Sequence, residues 1–198
     1  YKHTAAIYFA SHERGLSPIS VQYIYQSLYK KWNNYHLLQP EKWARIIHEY
    51  GQDATYQMGK LLNVNPDLIG FDLDAQHLLN QIVIDFPNIS KCYTLSDTLP
   101  ESLQQYYIID QIILEPSQLN TAGLIQYIND VVPASSLLYL PSIDFATGNL
   151  LCVEDVKSAA TQKGIVILWD ITLAVNNMDV DLITANMMYA VFKTNAFL

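Results

Sequence analysis

The sequence predicts an α/β protein in which helices flank a mostly parallel β-sheet, preceded by a helical N-terminal section. Three observations support this class. Residues 135–169 read as strand, helix and strand; short β-rich runs follow one another after Pro87; and before Pro87, apolar residues recur at helical spacing. A strand–helix–strand unit of this length joins two parallel neighbouring strands through a right-handed crossover.

Three helices are predicted before Pro87. The first covers Ile19–Trp32. The second covers Pro40–Leu62, because proline followed by glutamate suits a first helical turn and the Asn63–Pro66 segment ends the pattern. The third covers Asp74–Phe86 and stops at the proline that follows it.

The chain after Pro87 alternates between β-rich runs and helices. The β-rich runs are KCYTL, YYIIDQIILEP, Ser135–Ile143 and Ile165–Trp169. Helices are predicted over Leu119–Asn129 and Val153–Lys163, the second with Gly164 at the position after its cap. Because strands alternate with helices, we expect the last two strands to be parallel neighbours.

The composition limits the functions that are open to this chain. With 51% hydrophobic residues, a net charge of −8 and a pI near 4.9, we expect a substantial core and no binding to nucleic acid or anionic membranes. No apolar run reaches the roughly 20 residues of a membrane span, and the start lacks a signal-peptide pattern. The two cysteines lack CxxC spacing and the five histidines lack metal-ligand spacing. These features predict a cytoplasmic protein without a metal site.

Asp170 directly follows the apolar run IVILW. In open α/β sheets, ligands collect beyond the carboxyl ends of the strands, so a carboxylate at this position can contact a ligand. An aspartate at a strand end also commonly caps a turn or the next helix. The spacing of residues leaves both interpretations open.

The stretch from SSLLYLPSIDFATGN to ITANMMYAV resembles, segment by segment, the large domain of kynureninase, a fold-type-I enzyme that depends on pyridoxal phosphate (PLP). The matching residues are Thr147 and Gly148, Trp169 and Asp170, Val180 to Leu182, and Tyr189 to Val191. The segments IYFASHERGLSP, KKWNNYHLLQPEKW and MGKLLNVNPDLIGF resemble N-terminal parts of the family. The resemblance implies one PLP-transferase-like large domain over residues 1–198, truncated before a C-terminal small domain.

The resemblance also implies where a cofactor would lie. In this family the aspartate after the strand hydrogen-bonds the pyridinium nitrogen of PLP, which lets the ring accept electrons from the substrate's α-carbon. Asp170 is the matching residue. The positions that match the family's cofactor contacts are Asp170, Thr172, Leu99, Asp74, Ala75, Asn195 and Ala196.

Several of these positions lack the family's chemistry. Ala196 matches the lysine that forms the Schiff base, and an alanine cannot form an imine. Asn195 matches a phosphate-binding tyrosine, Leu173 matches a histidine, and Ala146 matches the arginine of an Arg-Thr-Gly loop. The catalytic groups of such a site act as a unit, so losing several of them predicts an inactive homologue.

The positions nearest the ring and the phosphate differ as well. Leu99 matches the phenylalanine that stacks on the PLP ring. The hydroxyl-rich turn that grips the phosphate matches Leu73, Asp74 and Ala75, and an aspartate at a helix N-terminus repels a phosphate dianion.

Three functions are therefore open at this point. The first is a kynureninase-like pseudoenzyme that acts through binding or assembly, as a homodimer or with a C-terminal partner segment. The second is an active PLP enzyme that converts kynurenine to anthranilate and alanine or performs a related C–C or C–S cleavage, with Lys193 forming the imine. The third is an unrelated α/β binding domain whose strand happens to end in Trp-Asp.

Overall fold

The computed structural model describes residues 19–36, 38–72, 75–95, 108–111, 120–144, 148–175, 177–182 and 187–192. The chain divides into two compact units, residues 1–70 with 194–198 and residues 71–193. The first unit is helical in its described part, and the second carries the sheet. One large domain over residues 1–198 stays a prediction.

The helical unit contains two long helices, α1 (Ile19–Tyr35) and α2 (Pro40–Leu62), followed by a 3₁₀ turn at Pro66–Leu68. Both predicted ends of α2 are confirmed. Its last turn closes at Asn63, which adopts a left-handed φ of 48° and donates its N–H to the carbonyl of Gly59. The predicted end of α1 at Trp32 is wrong by three residues, because the segment KWNNY contains no proline or glycine to stop the helix.

The described residues of the second unit form a five-stranded parallel sheet in the order β2-β1-β3-β4-β5. Its strands are β1 (Lys91–Thr94), β2 (Ile108–Gln111), β3 (Leu137–Pro141), β4 (Val166–Asp170) and β5 (Tyr189–Val191). Strands β3 and β4 pair in parallel, with Leu138 opposite Ile167, which confirms the predicted unit.

Four predicted strand ends are corrected. Strand β3 ends at Pro141 and not at Ile143, and β4 begins at Val166 and not at Ile165. The strand predicted from Ser135 begins at Leu137, because Ser135 adopts a left-handed φ of 58° in the preceding turn. The last buried strand runs one residue past Trp169, because Asp170 pairs with both Pro141 and Val191. Asp170 is therefore the final residue of β4.

Four helices accompany the sheet in the described residues: α3 (Ala75–Ile84), α4 (Thr121–Asp130), α5 (Val153–Gln162) and α6 (Thr172–Val175). Helix α3 ends two residues before the predicted Phe86, in a turn in which Asp85 donates its N–H to Ile82. Helix α4 begins at Thr121 because the Asn120 side chain caps it by accepting from the Gly123 N–H. The predicted glycine after α5 is confirmed, since Gly164 has a φ of 66°.

The strands alternate their side chains between two covered faces. Cys92, Tyr139 and Leu168 lie on one face, where they form a buried cluster with Leu79 of α3. All five residues of β3 are buried, which is typical of a parallel sheet covered on both sides. Tyr139 and Asp170 share the face that α3 covers, because each lies an even number of residues from Leu137 or Leu168 on its strand.

Candidate functional site

Asp170 lies at the carboxyl edge of the sheet and is held there by backbone hydrogen bonds. Its carbonyl accepts from the Ser142 N–H at 2.9 Å, and Ile171 donates to the carbonyl of Val191 at 2.9 Å. In the order β2-β1-β3-β4-β5, chain connections diverge between β1 and β3. The carboxyl ends beside such a divergence form the crevice in which open α/β sheets bind ligands.

Both oxygens of the Asp170 carboxylate accept hydrogen bonds from the protein. The Tyr139 hydroxyl donates to Oδ2 at 2.7 Å, and the Thr172 backbone N–H donates to Oδ1 at 2.9 Å. The second bond spans two residues and caps the start of α6, as the capping interpretation of Asp170 predicts. The first bond comes from a neighbouring strand.

Tyr139 is a neutral donor in this arrangement. Its side chain is 4% exposed, and burial together with the negative charge of Asp170 raises the pKa of the phenol above its usual value. The hydroxyl therefore keeps its proton and donates a hydrogen bond to the carboxylate. Tyr139 was missed at the level of sequence, where its one signal is a hydroxyl in the otherwise aliphatic run LLYLP.

Three further buried polar or thiol groups lie near this pair. Thr94 stands opposite Tyr139 on β1, and Ser142, just beyond β3, places its Oγ 3.4 Å from the Asp170 carbonyl. Cys92 is fully buried on the same face as Tyr139, and burial raises the pKa of its thiol to about 12. A thiol with that pKa is protonated at neutral pH and is a poor nucleophile.

The other positions from the resemblance divide into two groups. Thr172 uses its backbone to cap at Asp170, Leu173 presents a half-buried aliphatic side chain in α6, and Ala75 begins α3. The remaining predicted site residues lie outside the described residues: Asp74, Leu99, Ala146, Lys193, Asn195 and Ala196.

The described residues do not supply the donor set that PLP has in the family. The carboxylate that should hold the ring nitrogen already accepts from Tyr139 and Thr172. Leu173, at the histidine position, has no polar group to offer. Among the described residues, only Asp170 at the carboxyl end of β4 has a position that fits the cofactor.

The described part of the chain contains neither a group of metal-binding side chains nor a membrane-spanning helix. Within the described residues, no three His, Cys, Asp or Glu side chains are grouped as a metal site. Among the described helices, none has the length and apolar character to cross a membrane.

Solved structures with the same fold define the class. A cystine C–S lyase superposes with a TM-score of 0.71 at 14% identity, covering 93% of this chain and 52% of the lyase. The cysteine desulfurase CsdA from Escherichia coli superposes with a TM-score of 0.71 at 16% identity, covering 94% of this chain and 50% of the enzyme. The chain has the fold of the fold-type-I PLP-dependent enzymes.

The sequence relatives include kynureninases. A kynureninase from Pyricularia oryzae is 23% identical over 98% of this chain and 44% of the relative, and kynureninase 1 from Aspergillus fumigatus is 26% identical over 60% of this chain and 24% of the relative. No protein-family model matches the chain. The chain is similar at low identity to kynureninases and spans less than half the length of these relatives. An unrelated α/β domain is therefore the wrong interpretation.

Proposed function

We propose that this chain is a kynureninase-like protein that does not catalyse PLP chemistry and acts through binding or assembly. One observation carries the proposal: the position that matches the family's Schiff-base lysine is Ala196, which cannot form an imine. Leu173 at the histidine position supports it, and so do the hydrogen bonds by which Tyr139 and Thr172 already hold the Asp170 carboxylate. The acidic composition and the two unpaired cysteines support a cytoplasmic location.

The protein contacts hold the Asp170 carboxylate in place without a cofactor. A hydrogen bond to a charged group contributes about 1.5–3 kcal/mol, and a buried hydroxyl left without its acceptor costs about 1–3 kcal/mol. A pyridinium at this carboxylate would have to share an acceptor oxygen with Tyr139 or Thr172. Without a lysine at position 196, no covalent bond is available there to anchor a cofactor.

The test is a titration of the 198-residue chain with PLP, followed by gel filtration, absorbance spectroscopy, borohydride reduction and peptide mass analysis. We expect no visible band that survives gel filtration, and only scattered reduced adducts on exposed lysines such as Lys60. A stable band with a reduced adduct at one lysine contradicts the proposal.

A second candidate function is an active PLP hydrolase or lyase that converts kynurenine to anthranilate and alanine. The position of Asp170 at the carboxyl edge of β4 favours it, since that is where the family's aspartate is expected. In this case Lys193 forms the bond to the cofactor. Lys193→Ala then abolishes the band and the formation of anthranilate, whereas the matched control Lys60→Ala leaves both unchanged.

Assembly is the proposed mode of action, through a second copy or a C-terminal partner segment. None of the 17 residues of α1 is buried, and Tyr23 and Tyr25 are 67% and 70% exposed. Residues 1–70 carry seven lysines and arginines against five acidic residues, whereas residues 71–193 carry four against fourteen. An aromatic, mildly basic helix and an acidic unit suit contacts between two copies.

Sedimentation equilibrium over a range of protein and salt concentrations tests this assembly. We expect a concentration-dependent dimer that weakens as salt rises and that Tyr25→Asp disrupts. If the partner is a different chain, this protein alone should stay monomeric under all of these conditions. That result contradicts self-assembly.

A further inference from the structure

We propose that Tyr139 and Asp170 form an interstrand clamp that stabilises the carboxyl edge of the sheet in place of a cofactor contact. The stabilising role stands on the geometry of the described residues. The replacement of a cofactor contact by the clamp rests on the proposed function.

The register of β3 against β4 explains why a tyrosine is needed. Tyr139 lies opposite Leu168, so Asp170 is two residues further along the neighbouring strand on the same face. With strands about 4.8 Å apart and residues rising about 3.3 Å each, this diagonal is roughly 8 Å between backbone positions. A phenol spans that distance and its hydroxyl reaches Oδ2 at 2.7 Å, whereas the short side chain of a serine or threonine does not.

The clamp joins four segments through one residue. Asp170 closes β4, accepts from Tyr139 of β3 and from the first residue of α6, and receives the N–H and the Oγ of Ser142 on its carbonyl. Tyr139 is 4% exposed, so most of its side chain is shielded from water. Loss of either partner is therefore expected to destabilise the carboxyl edge of the sheet.

A clamp and a cofactor anchor predict opposite effects of mutation in the absence of ligand. Residues kept for ligand binding commonly cost stability, so removing them leaves a protein as stable or more stable. Removing a structural hydrogen-bond partner destabilises, and the two partners of one bond show non-additive losses. The sign of the change separates the two roles.

The experiment is a double-mutant cycle on the full 198-residue chain, with thermal unfolding of the wild type, Tyr139→Phe, Asp170→Ala and the double variant. Tyr139→Phe removes one hydroxyl and keeps the ring. We expect it to lower Tm by roughly 3–10 °C in the wild-type background and to have almost no effect beside Asp170→Ala. Asp170→Asn should retain most of the stability, because its amide can accept from Thr172 and donate to Tyr139.

Tyr189→Phe is the matched control. Tyr189 lies on the same face, opposite Leu168 on β5, and its hydroxyl has no hydrogen-bond partner among the described residues. This variant should unfold within roughly 1 °C of the wild type. If Asp170→Ala fails to fold, comparing the Tm values of Tyr139→Phe and Tyr189→Phe still tests whether the Tyr139 hydroxyl stabilises the sheet.

Two results overturn the clamp: Tyr139→Phe unfolds at the wild-type temperature, or the losses of the two single variants add in the double variant. A PLP titration of the same proteins is read separately. A band in the wild type that Asp170→Ala removes refutes the proposed function and the replacement of a cofactor contact, whereas the stabilising role of the clamp is decided by the unfolding cycle.

Discussion

The ammonium group of Lys163 lies 2.5 Å from the carbonyl oxygen of Val132, and it donates as well to the carbonyls of Ile128 and Asn129 at 2.8 and 2.9 Å. Ile128 and Asn129 belong to the last turn of α4, where carbonyls lack an intrahelical donor. Lys163, at the end of α5, thus donates hydrogen bonds to the free carbonyls at the end of α4, and its positive charge interacts favourably with the dipole of that helix.

Lys163→Met is expected to lower the free energy of unfolding by about 1–3 kcal/mol, because two partly buried carbonyls and one exposed carbonyl lose a charged donor. Urea unfolding followed by circular dichroism measures the change. Lys91→Met serves as the control, since Lys91 forms an exposed ion pair with Asp110 that salt screens. Equal effects of the two substitutions would contradict a capping role for Lys163.

Two glycines of α2 are expected to respond in opposite directions to alanine. A Cβ at Gly59 would lie 2.8 Å from the Val64 carbonyl oxygen and 2.9 Å from Cγ of Pro66, so the turn after the helix must shift. Gly59→Ala should cost about 1–3 kcal/mol. At Gly51 a Cβ meets no atom within 4 Å, and Gly51→Ala should stabilise the helix by about 0.5–1 kcal/mol.

Thermal unfolding of both glycine variants, followed at a helix wavelength, checks this pair. The reason for the difference is local, since both positions are helical and only Gly59 faces the returning chain. If both substitutions stabilise the protein, the turn at Pro66 shifts without cost and the prediction for Gly59 is wrong.

The stability of the sheet unit is expected to fall in alkali because of Cys92. Burial raises the pKa of its thiol from 9.0 to about 12, so the folded state holds a proton that the unfolded chain releases. The contribution is complete below pH 9 and is lost progressively as the pH rises toward 12, at about 1.4 kcal/mol per pH unit. Urea unfolding of wild type and Cys92→Ala over this range measures it, and parallel profiles would contradict it.

The two free thiols should differ sharply in reactivity. Cys152 is exposed at the start of α5, whereas Cys92 is fully buried in the sheet. An aromatic disulfide reagent should modify Cys152 at once and Cys92 only when the sheet opens. In a Cys152→Ser variant, rapid labelling of the remaining thiol under native conditions would refute the burial of Cys92.

The sequence predicted most of the regular elements because their signals are local. Proline at the start and asparagine at the end set the limits of α2, and Gly164 ends α5, as residues with fixed or permissive φ commonly do. The parallel pairing of β3 and β4 followed from the length of the segment between them. The errors fell at element ends such as Ser135, where backbone conformation depends on the neighbouring turn.

The sequence by itself determined that a carboxylate, Asp170, ends a buried parallel strand in a fold of the PLP-dependent class. Only the tertiary structure decided which groups meet that carboxylate. Tyr139 is 31 residues away along the chain, and it reaches Asp170 because the register of β3 against β4 places the two on one diagonal of the same face. Side-chain alternation specifies the face of a strand, but the neighbour across the sheet depends on register, which pairing between distant segments sets.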